Sequence, residues 1–210
     1  MGVAERRGRE REEVRHKILD AARELFMAEG AGRVTMRRIA LAIEYSPTAI
    51  YNHFEDKDAL LNSLCEDEFG RLFALLRPAA RPRSGVAWIR QLGLAYARFG
   101  LEYPNHYRFM FMTEAKVIEP AGGSPGQMSF AAIEQAVTAA ISTGRFRAVD
   151  PHLCAQVLWS SIHGVVALLI TYRPEQFPGV PARPDLVERV VENGIRGFLT
   201  RKPAAKGRRR

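Results

Sequence analysis

The polar side chains of the segment SPTAIYNHFEDK, residues 46–57, are spaced so that they could recognise a polar partner. Ser46 followed by a proline is a strong signal for the start of a helix. In the first turn, Thr48 is small enough to approach a nucleic-acid groove, where it can hydrogen-bond to a base edge or touch a thymine methyl. Tyr51 and His53 carry donors suited to phosphate oxygens. The segment therefore indicates recognition of nucleic acid, unless Tyr51 and His53 are only packing and surface residues.

Further phosphate contacts are predicted on both sides of this segment. Lys57 falls in the first turn of the next helix, where its ammonium and the exposed backbone N–H groups favour a phosphate. Thr35 and Arg37 or Arg38 would hold the backbone of the opposite strand. The complete predicted DNA-binding set is Thr35, Arg37, Arg38, Ser46, Thr48, Ala49, Tyr51, Asn52, His53 and Lys57.

A second group of residues is aromatic. The stretch YARFGLEYPNHYRFMF, residues 96–111, holds six aromatic residues and a methionine around a proline, and such residues can line an adaptable apolar cavity. In WSSIHG, residues 159–164, Trp159 and His163 are four apart and share one helix face. The predicted ligand-binding set is Phe99, Tyr103, Tyr107, Met110, Phe111, Phe130, Trp159 and His163. The alternative is that these residues form an ordinary core.

Enzymatic chemistry finds little support in the sequence. Gly122-Gly-Ser-Pro-Gly126 matches the G-x-S-x-G pattern, but that nucleophile elbow needs a preceding strand in an α/β sheet, and no strand pattern is present. The histidines show no metal-ligand spacing with Cys, Asp or Glu, and no glycine-rich loop could cradle a phosphate. We therefore predict no catalytic residue, no metal and no cofactor.

The elements that must position these residues are all helices. Apolar periodicity and capping signals predict an all-α fold of about nine helices. Residues 12–57 would form a three-helix helix-turn-helix domain for DNA binding, and residues 58–200 a helical bundle for ligand binding and dimerisation. A flexible arm (1–11) and a disordered basic tail (201–210) would flank them. The predicted helices cover 12–29, 36–42, 47–54, 57–76, 86–103, 104–113, 127–143, 151–172 and 185–199.

Charge and cysteine content limit the possible locations. The net charge is +8, but the last ten residues, RKPAAKGRRR, carry six basic and no acidic residues, so the tail alone is strongly basic. This tail could add phosphate affinity or only solubility. No uninterrupted apolar run approaches the ~20 residues that span a bilayer, and the N-terminus lacks the apolar core of a secretory signal. Cys65 and Cys154 are expected to be free thiols in a reducing cytoplasm.

The stretches RHKILDAARELFMAEG and TMRRIALAIEYSPTAIYNHFEDKDALL, within residues 14–61, resemble the N-terminal domain of the tetracycline-repressor (TetR) family of transcriptional regulators. The resemblance implies a homodimeric cytoplasmic repressor whose C-terminal domain binds a small molecule. It also implies DNA contacts by Thr35, Thr48, Tyr51, His53 and Lys57. The segments YPNHYRFMF and Trp159-x-x-x-His163-Gly164 resemble the family's WHG-type C-terminal domains.

The turn between the two helices of the helix-turn-helix departs from the family pattern. The family usually has a glycine there, and this chain has Glu44. A left-handed backbone at Glu44 would cost about 1 kcal/mol, and its charge would lie near phosphate. Behind the turn, Ile50 and Phe54 are four apart and are expected to face Ile39 and Phe26, which would fix the angle of the second helix.

The last two helices, 152–172 and 185–199, are predicted to form the homodimer interface with their copies. Each dimer would then present two recognition helices to successive major grooves of operator DNA, about 34–36 Å apart. An apolar or aromatic effector would release the operator by favouring a dimer with the wrong spacing. The alternative is a DNA-binding regulator whose C-terminal half only dimerises or binds a protein.

Overall fold

The computed structural model describes residues 2–30, 32–77, 84–112, 123–172, 176 and 183–200. Over these ranges the chain is helical and contains no strand, only one isolated antiparallel bridge between Phe146 and Leu199. The all-α prediction is confirmed. The helices are α1 (Val3–Glu29), α2 (Met36–Ala42), α3 (Pro47–Tyr51), α4 (Lys57–Leu76), α5 (Gly85–Glu102), α6 (Pro104–Met112), α7 (Pro125–Ser142), α8 (Pro151–Thr171) and α9 (Arg183–Phe198).

The capping signals in the sequence predict the starts of the short helices correctly. The Thr35 hydroxyl accepts the backbone N–H of Arg38 at 3.3 Å. The Ser46 hydroxyl accepts the backbone N–H of Ala49 at 3.2 Å, with Pro47 at the first helical position. Asp56 accepts the N–H of Ala59 at 2.7 Å in front of α4. Each cap accepts an N–H of the first turn of its helix.

The predicted start of α1 at Glu12 is wrong, because the helix begins at Val3 and includes most of the segment predicted to be a flexible arm. That segment has few apolar residues, so apolar periodicity did not detect it. Arginine and glutamate are nonetheless good helix formers. Arg6 and Glu10, one turn apart, also form an ion pair of 3.6 Å.

The chain forms two compact units, and their boundary differs from the predicted division at residues 57 and 58. The first unit takes the described residues of Met1–Arg71 and Tyr103–Gly126, so α6 belongs with α1 to α3 and most of α4. The second takes the described residues of Leu72–Glu102 and Gln127–Arg210.

In the first unit, apolar side chains of α1 to α4 and α6 form the core. Ile39, Ile50 and Phe54 are buried, as expected for the residues that fix the angle of α3. Phe109 of α6 stacks on Phe26 of α1, with 5.9 Å between the ring centroids. The helix-turn-helix is thus supported from behind by both local helices and a later segment of the chain.

In the second unit, α5, α8 and α9 pack on one another. Gly93 of α5 permits this close packing, since a Cβ there would lie 2.8 Å from the Ile162 side chain and 3.2 Å from Val191. By length and apolar composition alone, α8 could cross a membrane. The core helix of a bundle has the same composition, and Leu158 and Ile162 of α8 are buried within this unit.

Candidate nucleic-acid interface and ligand site

The turn between α2 and α3 has the left-handed backbone that the sequence predicts at Glu44. The φ angle of Glu44 is 58°, the only positive φ of a non-glycine residue within the described ranges. Two backbone hydrogen bonds hold the turn, from Glu44 N–H to the Leu41 carbonyl at 3.2 Å and from Tyr45 N–H to the Ala40 carbonyl at 2.9 Å. The expected strain at Glu44 is therefore present, at a cost of about 1 kcal/mol.

Helix α3 has one buried face and one polar face. Ile50 is fully buried, whereas Thr48 and Asn52 are exposed and Tyr51 is 53% exposed. The structure brings the whole predicted DNA-binding set together in the first unit. Of that set, Thr35, Arg37, Arg38, Ser46, Thr48, Tyr51 and Asn52 are exposed, and Ala49, His53 and Lys57 are half-buried.

The structure distinguishes between Arg37 and Arg38. The guanidinium of Arg38 donates to both carboxylate oxygens of Glu29, at 2.5 and 2.6 Å. This hydrogen bonding lowers the pKa of Glu29 and raises the pKa of Arg38. A bidentate pair of this kind fixes the geometry of both side chains. Arg38 thus ties α2 to α1, and Arg37 is the better placed of the two to contact phosphate.

His53 lies next to two arginines that sequence reasoning missed. Arg11 donates to the backbone carbonyl of Asn52 at 3.3 Å, and the Arg15 guanidinium lies 5.1 Å from the centroid of the Phe54 ring. Burial lowers the pKa of His53, and the positive charges of Arg11 and Arg15 lower it further. The lowered pKa favours the neutral imidazole of His53, which has one ring N–H to donate. Arg7, Arg11 and Arg15 are spaced four residues apart, and this pattern in the sequence could have identified them as one face of a helix.

Lys57 is also engaged within the protein. Its ammonium lies 5.9 Å from the centroid of the Phe26 ring, within the range of a cation–π contact. The side chain is half-buried at the first turn of α4. Lys57 is the first residue of α4, at the turn in which the sequence predicts a phosphate contact.

The predicted ligand-binding set divides into two groups of four. Tyr103, Tyr107, Met110 and Phe111 belong to the first unit. There Tyr107 is fully buried, and its ring centroid lies 4.9 Å from that of Phe111, which also meets Phe69 edge-on at 5.4 Å. Tyr103 is 41% exposed.

The other four residues, Phe99, Phe130, Trp159 and His163, belong to the second unit. The Trp159 ring centroid lies 6.3 Å from that of Phe130 and 5.6 Å from that of His163. Tyr96, which sequence reasoning missed, shares a hydrogen bond of 3.1 Å between its hydroxyl and Nδ1 of His163. Tyr96 lies three residues before Phe99 on the same helix, so helical spacing could have identified it. Burial lowers the pKa of His163, which favours the neutral imidazole.

A buried charged cluster in the first unit was also missed. Glu68 of α4 is fully buried and accepts hydrogen bonds from Nε of Arg23 at 2.9 Å and from Nδ1 of His106 at 2.8 Å. Arg23 also pairs with Asp20 and Asp67. The cluster joins α1, α4 and α6. Helical spacing could have identified Glu68, because it lies four residues after Leu64 and four before Leu72 on the buried face of α4, whereas its neighbours Glu66 and Asp67 are exposed.

The G-x-S-x-G match has no supporting sheet within the described residues. Ser124 directly precedes α7, and Gly122 lies outside the described residues. Among the residues described, no three His, Cys, Asp or Glu side chains are grouped so that they could hold a metal ion.

Comparison with known proteins gives a consistent assignment. Residues 18–64 match the family model described as bacterial regulatory proteins, tetR family, and residues 89–194 match a tetracyclin repressor-like C-terminal domain. Over 61 residues the chain is 43% identical to the HTH-type transcriptional repressor Rv1474c of Mycobacterium tuberculosis, an alignment that covers 29% of this chain and 33% of that protein. The chain spans less than half the length of the curated relatives it matches.

Solved structures extend the likeness over nearly the whole chain, at the level of the fold. A protein of unknown function from Rhodococcus sp. RHA1 is similar with a TM-score of 0.72 and 24% identity, covering 89% of this chain and 95% of that one. The transcriptional regulator FadR of Bacillus subtilis, in complex with stearoyl-CoA, has a TM-score of 0.68 and 16% identity, covering 87% and 98%.

Proposed function

The chain belongs to the tetR family of bacterial regulatory proteins, and from this premise we propose that it is a DNA-binding transcriptional repressor that acts as a homodimer in the cytoplasm. The observation that carries the proposal is the geometry of α3. Thr48 and Tyr51 are exposed, while Ile50 behind them is buried and the Ser46 cap fixes the start of the helix. A short helix presented in this way fits the major groove.

Within this proposal the residues of the interface have distinct roles. Thr48 and Ala49 approach base edges, and Tyr51 and His53 donate to phosphates. The neutral imidazole of His53, which its lowered pKa favours, suits a hydrogen bond rather than an ion pair. Arg37, Lys57 and the exposed ends of α2 and α4 hold the two backbones on either side. Arg38 contributes by fixing α2 against Glu29.

The dimer interface is formed by α8 and α9. On α8, Leu153, Val157 and Leu168 are 57%, 44% and 53% exposed, and helical periodicity places them on one face. Gly164 lies on the same face, and a Cβ there would meet nothing within 4 Å. A row of leucine and valine with a glycine inside it allows a partner helix to approach closely. Val166 of α8 and Val191 of α9 are buried within the protomer and serve its core.

The effector is a small apolar or aromatic molecule. The rings of Phe130 and Trp159 offer apolar contact, and the Tyr96–His163 pair offers a polar anchor beside them. FadR of Bacillus subtilis, which shares the fold, is in complex with stearoyl-CoA, so a long-chain acyl compound is the first candidate to test. Binding that favours a different spacing of the two α3 helices would release the operator.

The experiment begins with selection of duplexes from a random 40-base-pair library by the full chain, followed by measurement of affinity. We expect enrichment of a two-fold symmetric site. Thr48→Val, which keeps the shape and removes the hydroxyl, should weaken binding to that site by about 0.5–1.5 kcal/mol, the net contribution of one hydrogen bond to a base. The matched control is Thr138→Val on α7, an exposed threonine in the second unit, which should bind as the wild type does. Failure to enrich any duplex would overturn the proposed function.

Two further measurements test dimerisation and effector binding separately. Light scattering should give a dimer for the wild type and a monomer for Leu153→Glu/Leu168→Glu. A thermal shift with palmitoyl-CoA, followed by loss of the complex with the selected duplex, would support an apolar effector. If acyl-CoA and aromatic compounds leave both the unfolding temperature and the complex unchanged, the C-terminal half serves dimerisation or a protein partner instead.

A further inference from the structure

The N-terminal part of α1 extends beyond the segment that defines the family. The helix begins at Val3, whereas the family match begins at residue 18. In this extension Arg7, Arg11 and Arg15 recur every four residues, and the same stripe continues through Ile18, which is fully buried. The arginines thus lie on the face with which α1 packs on the rest of the first unit.

This row of arginines passes the C-terminal end of α3. Arg15 lies over the ring of Phe54, and Arg11 donates to the carbonyl of Asn52, the residue that ends α3. Arg7 is exposed and, at 1.5 Å rise per residue, lies about 6 Å further along the axis than Arg11. The row therefore starts within the candidate DNA interface and continues beyond it.

The acidic residues of the extension lie on other faces of the helix. With 3.6 residues per turn, Glu5, Glu12 and Glu13 are turned from Arg11 by about 100° or more. Glu10 is turned from Arg11 by about 100°; it lies one turn from Arg7, about 60° away, and pairs with Arg6 at 3.6 Å. The face with Arg7, Arg11 and Arg15 therefore has a net positive charge, whereas residues 3–17 as a whole carry six basic and four acidic residues.

We propose that Arg7 and Arg11 form a second DNA-contacting element, which binds phosphates next to the stretch of groove entered by α3 and lengthens the site covered by each protomer. The inference rests on the proposed DNA-binding function and adds to it a contact outside the helix-turn-helix. Because phosphate contacts carry no base information, the element should raise affinity and salt dependence without changing the preferred sequence.

The test compares Arg7→Gln with Arg9→Gln. Both changes remove one positive charge and introduce a good helix former, so the two variants have the same net charge. They differ in position, because Arg9 lies on the opposite face of the helix from Arg7. The dissociation constant for the selected duplex is measured by fluorescence anisotropy at several salt concentrations. For Arg7→Gln we expect the slope of log K against log salt to fall by about 0.9 per chain, or about 1.8 per dimer. If the affinities converge at 1 M salt, this corresponds to about 30-fold weaker binding at 0.15 M.

Arg9→Gln should keep the wild-type slope, and a footprint should be shorter at both ends for Arg7→Gln only. Equal slopes for the two variants would show that the extension acts only through net charge and would overturn the inference, while the DNA-binding function would stand. A wild-type protein that binds no selected duplex would overturn both.

Discussion

The buried carboxylate of Glu68 makes the stability of the first unit sensitive to the loss of a single partner. Glu68 is fully buried, with Arg23 on one oxygen at 2.9 Å and His106 on the other at 2.8 Å. The change Arg23→Met keeps an unbranched apolar side chain and leaves the carboxylate with His106 at 2.8 Å and Arg71 at 3.7 Å. Breaking a buried pair in this way costs about 3–5 kcal/mol, and since His106 remains we expect the lower end of that range.

Replacing both members of the pair should cost much less than the sum of the single changes. In Arg23→Met/Glu68→Leu no carboxylate is left buried, and apolar replacements of buried ion pairs are often neutral or stabilising. Glu68→Leu alone leaves Arg23 with Asp20 and Asp67 as partners, so we expect it to destabilise less than Arg23→Met. The coupling energy calculated from the wild type, the two single variants and the double variant is expected to be about 2 kcal/mol.

The assay is urea unfolding followed by far-ultraviolet circular dichroism at one fixed protein concentration, because the stability of a dimer depends on concentration. Hydrogen exchange locates the effect. Peptides from α1, α4 and α6 should exchange faster in Arg23→Met, while peptides from α8, in the second unit, provide the internal comparison. Additive single changes, with a coupling energy below about 0.5 kcal/mol, would refute the view that Glu68 depends on Arg23.

Three further predictions follow from individual residues. Glu44→Gly should relieve the strain at φ 58° and stabilise the protein by about 0.5 kcal/mol in urea unfolding, and Glu44→Gln, which keeps the strain, should not. Burial lowers the pKa of His163, so as the pH falls this histidine is protonated in the unfolded chain before it is protonated in the folded protein. The free energy of unfolding should therefore decrease as the pH drops below about 6.5. The decrease should be smaller in His163→Gln when urea midpoints at pH 7.5 and 5.5 are compared. Burial raises the pKa of the Cys65 and Cys154 thiols to about 11, so both should react slowly with Ellman's reagent in the folded protein and rapidly in denaturant.

The parts of the fold that sequence reasoning predicted are those determined by neighbouring residues. The caps at Thr35, Ser46 and Asp56 each involve a side chain and an N–H three residues later, so they can be recognised in a single stretch of sequence. The left-handed turn at Glu44 is equally local, because two capped helices joined by so few residues leave the chain little freedom.

The contacts that sequence reasoning missed join residues far apart in the chain. Arg11 meets the Asn52 carbonyl across 41 residues, and Tyr96 meets His163 across 67. Arg23 and Glu68 are 45 apart. In each case two side chains, or a side chain and a carbonyl, from different parts of the chain meet only when the fold brings them together. Helical periodicity predicts which face of a helix is buried, but it does not predict which other helix packs on that face.

The strain at Glu44 is best understood from the two helices that it joins. A non-glycine residue stays in the left-handed region only where the interactions of the surrounding structure outweigh the energy cost of that backbone conformation. Here the Tyr45 N–H is bound to the Ala40 carbonyl, the Ser46 cap fixes the start of α3, and Ile50 is fully buried. These interactions set the angle between α2 and α3 independently of Glu44. A carboxylate can therefore occupy a position that favours glycine without altering the helix angle. Its effect on DNA binding should come from its charge, and Glu44→Gln should accordingly strengthen binding to the selected duplex as much as Glu44→Gly does.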